Sequence, residues 1–404
     1  MIYLIGTGCG AGSLTKDAEE AVRGAVSLIG AKRLLGMFPD EKKKTAATRP
    51  EDILDAIKAS EEENGSGDIC ILFSGDSGFY SGTRRLLPLL ESYEMQILPG
   101  ISSLQLFAAR CGRTWQDWNL CSAHGTDCDA VKEVCKGNPV FFLTGGKLGP
   151  AQLCQQLAEA GLPALPVVIG QDLGTDEEKI VSGSAGEFID TEFAVLSVML
   201  AEPAPRPYRR VPGLPDDAFE RTERVPMTKQ FVRAAILAEL APGKDDICWD
   251  VGAGSGSVAI EMALQAGAVY SVERNPEALE LAGRNRAALG AWNLRLKEGS
   301  APEVLRDLPA PDIVFIGGSS GSLGEILGLV RNKNEKARIC ISAVTLETLS
   351  DAVRILEELG YETEVVQIGV TQSRKIGGSR EGKKPGLHMM SAQNPVWLIA
   401  GVCS

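Results

Sequence analysis

The segment Glu202-Pro-Ala-Pro-Arg-Pro-Tyr-Arg-Arg-Val-Pro-Gly-Leu-Pro215 carries five prolines in fourteen residues. Proline fixes φ and has no N–H to donate, so this stretch cannot run inside a helix or as a central strand. It predicts a stiff, extended linker over 202–215. The linker divides the 404-residue chain into halves long enough to be separate domains, 1–201 and 216–404.

Both halves alternate short apolar runs with helical periodicity, which predicts α/β folds with largely parallel pairing. In the first half the predicted strands are Ile2–Ile5, Ile69–Phe73, Met95–Leu98, Val140–Leu143, Leu165–Ile169 and Phe193–Leu200. A helix is predicted from Ala18 through Ile29, another over Arg84–Leu90, and a third with Ser102 as its N-cap. The second half predicts strands at Ile247–Val251, Ala268–Val272, Leu294–Leu296, Ile313–Ile316, Arg338–Ile341, Thr363–Ile368 and Val396–Ile399. The last follows a polar loop, Gln372–Gly386, instead of a helix. Seven strands in that order predict a doubly wound sheet with one antiparallel member.

Composition excludes several classes. A chain that is 44% hydrophobic and 23% charged is a globular one. Its net charge of −12 and lack of a basic or aromatic strip disfavour RNA or DNA as a partner. No apolar run approaches the roughly 18 residues of a membrane span, and the first residues do not read as a signal peptide. The expectation is a cytoplasmic protein with reduced cysteines, most of them buried. Cys121, His124, Cys128 and Cys135 form the one metal-like cluster, but their spacing matches no zinc pattern. We expect no metal, with Cys128 and Cys135 on one helix face. The runs Lys42–Lys44 and Glu61–Glu63 read as solvated faces.

Asp250-Val-Gly252-Ala253-Gly254-Ser255-Gly256 closes the first strand of the second half and opens a helix. Glycines there let a ligand approach the backbone N–H groups. The next strand ends in an acid, Glu273, placed to bind ribose hydroxyls. A dinucleotide fingerprint would need Gly or Ala at 257, where this chain has Ser. Asp250 would repel a pyrophosphate but attract an ammonium group. Together these favour S-adenosylmethionine over NAD.

Three glycine-rich strand ends occur in the first half: Gly6-Thr-Gly8-Cys-Gly10, Ser74-Gly75-Asp76-Ser-Gly78 and Pro99-Gly100-Ile-Ser102-Ser103. Ligands collect at the carboxyl ends of strands in open α/β sheets, so the three loops predict one shared cleft. No nucleophile elbow, Walker A sequence or H-E-x-x-H motif is present.

These residues carry a resemblance. The loops just quoted, with Trp115-Gln-Asp117 and Ser122-Ala-His124-Gly125, resemble the tetrapyrrole methylase family in its precorrin carbon-5 methyltransferase (CbiE) branch. Val225-Pro-Met-Thr228-Lys229, Asp250–Gly256, Glu273-Arg-Asn-Pro276, Gly299-Ser-Ala301-Pro302 and Phe315–Gly321 resemble the class I methyltransferases of the carbon-15, decarboxylating (CbiT) branch. The order is that of the fused CbiET/CobL type of cobalamin biosynthesis.

The resemblance implies a tetrapyrrole-methylase fold followed by a Rossmann-like class I methyltransferase. It implies methylation of a reduced, polycarboxylate tetrapyrrole at carbons 5 and 15, with loss of the acetate carboxyl at carbon 12. Such transfer is an in-line displacement that needs alignment and exclusion of water, and no metal. S-adenosylmethionine is implied at two sites per chain. Thr228, Asp250, the Gly252–Gly256 loop, Glu273 and Ala301 would hold one; Gly75, Asp76, Gly78 and Ser102 would hold the other. His124 matches a family motif with no role attached. The class I branch implies a homo-oligomer. Carboxylate anchors are sought in Arg84, Arg85, Arg110 and Arg113, and in Arg374, Lys375 and Arg380. Three positions depart from the family pattern: Cys9 and Ser77 stand where it usually has Pro, and Ser300 where it often has Asp. Other readings are a fusion acting on a different tetrapyrrole, one inactive half, or an RNA methyltransferase.

Overall fold

A computed structural model describes residues 1–10, 12–39, 42–65, 67–206, 212–376 and 387–402. Residues 207–211 of the proline-rich segment, and Arg380, Lys383, Lys384 and Cys403, lie outside these. The chain divides into two compact units. Met1–Ala130, Asn138–Ala158 and Pro163–Glu202 form the first, and the chain from Pro203 forms the body of the second.

The first unit holds two five-stranded sheets. The leading sheet has the order β3-β2-β4-β1-β5, with β1 (Ile2–Gly6), β2 (Ser27–Gly30), β3 (Lys43–Ala46), β4 (Ile69–Phe73) and β5 (Met95–Leu98), all parallel. Ile5 pairs with both Leu72 and Leu98, so the ends of β4, β1 and β5 lie side by side. The second sheet contains β6 (Asn119–Ser122), β7 (Val140–Leu143), β8 (Pro166–Gln171), β9 (Lys179–Ser184) and β10 (Ser197–Ala201), in the order β6-β7-β10-β8-β9. Only β6–β7 is parallel there; the other pairs are antiparallel, against the expectation of largely parallel pairing.

Local readings need correction in four places. The helix predicted through Ile29 ends at Gly24, and Ser27–Gly30 is a strand. All four of those residues are buried between β3 and β4, so they lack the two-residue alternation that marks a half-buried strand. The lysine run is an edge strand and its approach, not a solvated face. Lys42 Nζ donates to the carbonyls of Arg23 (2.6 Å) and Ala25 (2.8 Å), closing the end of the first helix. Cys128 sits in a loop ahead of the helix Ala130–Val134, so it shares no helix face with Cys135. Finally, β10 starts at Ser197, four residues later than predicted.

The second unit follows its expected architecture. Strands β11 (Ile247–Val251), β12 (Ala268–Glu273), β13 (Leu294–Glu298), β14 (Ile313–Ile316), β15 (Arg338–Ala343), β16 (Glu362–Ile368) and β19 (Val396–Val402) form a seven-stranded sheet, order β13-β12-β11-β14-β15-β19-β16. β19 runs antiparallel to both its neighbours. Apolar clusters cover both faces: Val258, Ile260 and Met262 on one, and Leu323, Ile326 and Leu327 on the other. The expected polar loop is in part a hairpin of β17 (Thr371–Ile376) and β18 (Leu387–Ala392). Its strands read as loop because none of their residues is buried.

Part of the proline-rich segment is not a spacer. Leu214 is buried in the second unit's core, and the reason is an ionic node. Arg233 and Glu261 are both fully buried and pair through Nε and Oε1 at 2.7 Å. Glu261 also accepts from the N–H groups of Gly213 and Leu214. Arg233 donates to Asp216 Oδ1 (2.9 Å) and to the carbonyls of Thr228 and Leu214, and its guanidinium lies 4.6 Å from the centre of the Phe219 ring. Segment 213–228 is thereby fastened to two helices, Gln230–Leu240 and Ser257–Ala263.

Candidate functional site

In the first unit the three glycine loops meet backbone to backbone. A Cβ on Gly6 would lie 2.7 Å from both Gly100 N and Gly75 O, and one on Gly100 would lie 2.3 Å from Gly75 O. Gly8 and Gly75 exchange two backbone hydrogen bonds of 3.0 Å. Asp76 braces the cluster: Oδ1 accepts from Gly78 N (2.9 Å) and Oδ2 from Gly100 N (3.1 Å). Ser102 caps the helix Ser103–Arg110 in a reciprocal capping box with Gln105. The three loops therefore share one rim, with Gly75, Asp76, Gly78 and Ser102 on it.

The two departures from proline acquire a reason. Cys9 Sγ donates to Ile101 O (3.2 Å) and the buried Ser77 Oγ donates to Leu98 O (3.1 Å). Each ties its loop to the segment that closes β5, replacing a stiff ring with a cross-link. Burial pushes the Cys9 thiol up to about 11. The second sheet adds loops that sequence reasoning left out. Gly10 packs on Gly174 O. His124 Nδ1 lies 3.3 Å from Thr144 O. A cavity of about 340 Å³ is lined by Thr144, Gly145, Gly146, Ala194 and Val195, among others. The glycine pair 145–146 after β7 was the available signal.

Two of the sought anchors are already neutralised. Arg110 pairs with Glu178 and Arg113 with Glu202, each at 2.5 Å. Arg84 and Arg85 lie on the short helix Thr83–Leu86, and Arg374 and Lys375 lie on β17. Among the described residues, no group of three or more His, Cys, Asp or Glu side chains is placed to hold a metal ion. Cys121 and Cys128 face each other at 3.2 Å.

In the second unit Gly252, Gly254 and Gly256 all have positive φ, at 81°, 52° and 75°. Only glycine adopts such values cheaply. A Cβ would also strike Gly318 N at 2.9 Å, Pro226 O at 2.8 Å and Ala282 Cβ at 2.8 Å, respectively. The loop is thus a backbone cradle packed on the end of β14, the 225–228 segment and the helix Pro276–Leu289. Glu273 spans its mouth, accepting from Gly254 N and Asn275 N, both at 2.9 Å. Ala253 donates to Val272 O at 3.2 Å. Ser255 is buried, and its Oγ has no hydrogen-bond partner among the described residues. Gly299 N donates to Glu273 O (3.0 Å), which brings the Ser300–Ala301 turn alongside; the Ala301–Pro302 bond is cis. Asp250 is buried and accepts from Ser271 Oγ at 3.1 Å. Burial pushes its carboxyl up to about 7; the Ser271 bond opposes this and the Glu273 charge adds to it.

The pattern that defines tetrapyrrole (corrin/porphyrin) methylases matches residues 1–189, and that of the precorrin methyltransferase domain matches residues 217–391. A Sinorhizobium protein described as precorrin-6Y C(5,15)-methyltransferase [decarboxylating] is 31% identical over 326 residues, 79% of this chain and 78% of its own. This chain belongs to that family. A Pyrobaculum calidifontis protein, described as a probable cobalt-precorrin-6B C(15)-methyltransferase (decarboxylating), is 43% identical over 46% of this chain and 94% of its own length. A solved structure from Geobacter metallireducens, described as precorrin-6y C5,15-methyltransferase, is 39% identical over 48% of this chain and 99% of its own, with a TM-score of 0.44. Precorrin-6Y methyltransferases take their methyl groups from S-adenosylmethionine. The cradle of the second unit fits a molecule of that kind: it offers close backbone approach and, at its mouth, the carboxylate of Glu273.

Sequence reasoning missed Arg233 and Glu261. The signal was present: a lone Arg in the apolar run Phe231–Leu237, and a lone Glu in the apolar helix Ser257–Ala263.

Proposed function

We propose that this chain methylates precorrin-6Y, or its cobalt form, at carbons 5 and 15 and removes the carboxyl of the carbon-12 acetate. The carrying observation is the pair of glycine cradles at strand ends, one per unit, in a chain similar to a bifunctional relative along 79% of its length. Residues 1–201 would act at carbon 5 and residues 216–404 at carbon 15. S-adenosylmethionine supplies the methyl group. In the second domain Glu273 holds ribose hydroxyls, the 252–256 backbone and Thr228 hold the remainder, Ala301 flanks the base, and Asp250 faces the ammonium. In the first, Gly75, Gly78 and Ser102 line the site and Asp76 acts through the loops it braces. Mass spectrometry of the product made from the reduced precorrin-6 substrate, with and without cobalt, tests the assignment. Two added methyls and one lost carbon dioxide support it; a product with neither change refutes it.

Two cofactor sites per chain are expected. Calorimetric titration of the intact protein should saturate near two equivalents of S-adenosylmethionine, and saturation at one would mean an inactive half. A pH dependence follows from Asp250. Its folded pKa, about 7, lies above the ordinary value of about 3.9. Its contribution to stability is therefore full below that ordinary value and is lost as pH rises through about 7. A cation bound beside it favours the ionised form. Cofactor binding to the second domain should thus release a proton just below pH 7 and tighten as pH rises through that point. Binding heats should differ between buffers of unlike ionisation enthalpy in the wild type and not in Asp250→Asn; equal buffer dependence in both would overturn the assignment.

We further propose a homo-oligomer through the second domain. The β17–β18 hairpin carries Leu387, Met389 and Met390 exposed, an apolar surface of the kind that partners cover. Sedimentation at the mass of one chain would refute this. No helix among the described residues is long and apolar enough to cross a membrane. The nine described cysteines are reduced thiols, which fits a cytoplasmic setting.

A further inference from the structure

We propose that Arg33 anchors a carboxylate of the tetrapyrrole at the strand-end rim of the first domain's parallel sheet; this rests on the carbon-5 assignment above. Arg33 lies on the helix Lys32–Leu35, immediately beyond β2. All strands of that sheet are parallel, so the helix opens at the same edge as the three glycine loops. The guanidinium reaches that rim directly. Its Nη2 donates to Ser74 Oγ at 3.1 Å, one residue ahead of Gly75. Its charge is also felt at the Cys9 thiol in the neighbouring loop.

Three further observations assign it this task. Arg110 and Arg113 are each bound to a carboxylate, whereas the described bond of Arg33 is to a neutral hydroxyl. Arg33 and Ser74 are both exposed, so a ligand reaches the guanidinium without displacing a packed group. Ile101, whose carbonyl accepts a hydrogen bond from the Cys9 thiol, is 44% exposed at the same strand-end edge of the sheet. An apolar side chain and a planar cation with no carboxylate partner among the described residues, on one sheet edge, suit a flat macrocycle with acidic edges. Arginine matches a carboxylate with two parallel donors, which lysine cannot do.

S-adenosylmethionine also carries a carboxylate, so the test separates the two sources. In Arg33→Met, KM for the tetrapyrrole in carbon-5 methylation should rise about ten-fold with kcat unchanged. Arg33→Lys should recover part of the loss. The wild-type KM should climb with salt, and that slope should flatten in Arg33→Met. Calorimetric affinity for S-adenosylmethionine should be the same in both proteins. An unchanged tetrapyrrole KM overturns the proposal, as does a matching fall in S-adenosylmethionine affinity, which would make Arg33 a cofactor contact. If the wild type adds a methyl elsewhere but never at carbon 5, the carbon-5 assignment itself fails and the Arg33 proposal fails with it.

Discussion

Glu273→Ala should weaken S-adenosylmethionine at the second domain by about ten- to a hundred-fold or more. Charge-assisted hydrogen bonds to a carboxylate are worth about 1.5–3 kcal/mol each, and 1.4 kcal/mol is a factor of ten. The structure adds a second loss to that of the ribose contacts. Both carboxylate oxygens hold backbone N–H groups, at Gly254 and Asn275, so the cradle itself loosens. The first domain is a separate compact unit with its own loops. At limiting cofactor the variant should therefore accumulate product methylated only at carbon 5 and still bearing its acetate. Mass spectrometry reads the difference. Loss of both methylations together would show that the two steps share one site or are obligatorily coupled.

Glu261→Ala should produce the largest loss of stability. The substitution leaves Arg233 fully buried with its strongest partner gone. Breaking a buried pair from one side costs about 3–5 kcal/mol, or roughly 10 °C in the melting temperature of a unit this size. The fastening of 213–228 is also released, and with it Thr228 and the Pro226 carbonyl that packs on Gly254. The double replacement Arg233→Met with Glu261→Met should recover only part of the loss: it removes the unpaired charge but takes their partners from the Gly213 and Leu214 N–H groups and the Leu214 and Thr228 carbonyls. Scanning calorimetry of the three proteins decides it. A Glu261→Ala protein that melts with the wild type would mean that water or a rearranged Asp216 satisfies Arg233 instead.

Legibility of the fold followed burial. Ile69–Phe73 is a continuous apolar run bounded by polar residues, Ile247–Val251 is apolar except for Asp250, and the expected bounds of both match the strands. β3 and β9, with sequences KKTA and KIVSGS, are sheet-edge strands with no buried residue, and nothing local distinguishes them from loops. The β17–β18 hairpin failed for the same reason. Ser27–Gly30 failed oppositely, since complete burial erased its alternation. The glycine loops were legible because positive φ and close approach leave few alternatives to glycine. The ionic node was harder to see: its partners are 28 residues apart, and their meeting depends on how two helices pack. The pairing of Arg110 and Arg113 was hidden because a charge in sequence carries no sign of its partner; Glu178 takes up Arg110 only through the tertiary fold.

The contact among Gly6, Gly75 and Gly100 has a consequence for how this half of the molecule can vary. Ordinarily a position enlarged by mutation can be accommodated when a neighbour shrinks. Here each neighbour is already the smallest residue, and the atoms in the way are main-chain nitrogens and oxygens. No second substitution can make room. The three positions should therefore show no compensating pairs in any library of variants. A lineage that loses one of them can regain the fold only by reversion.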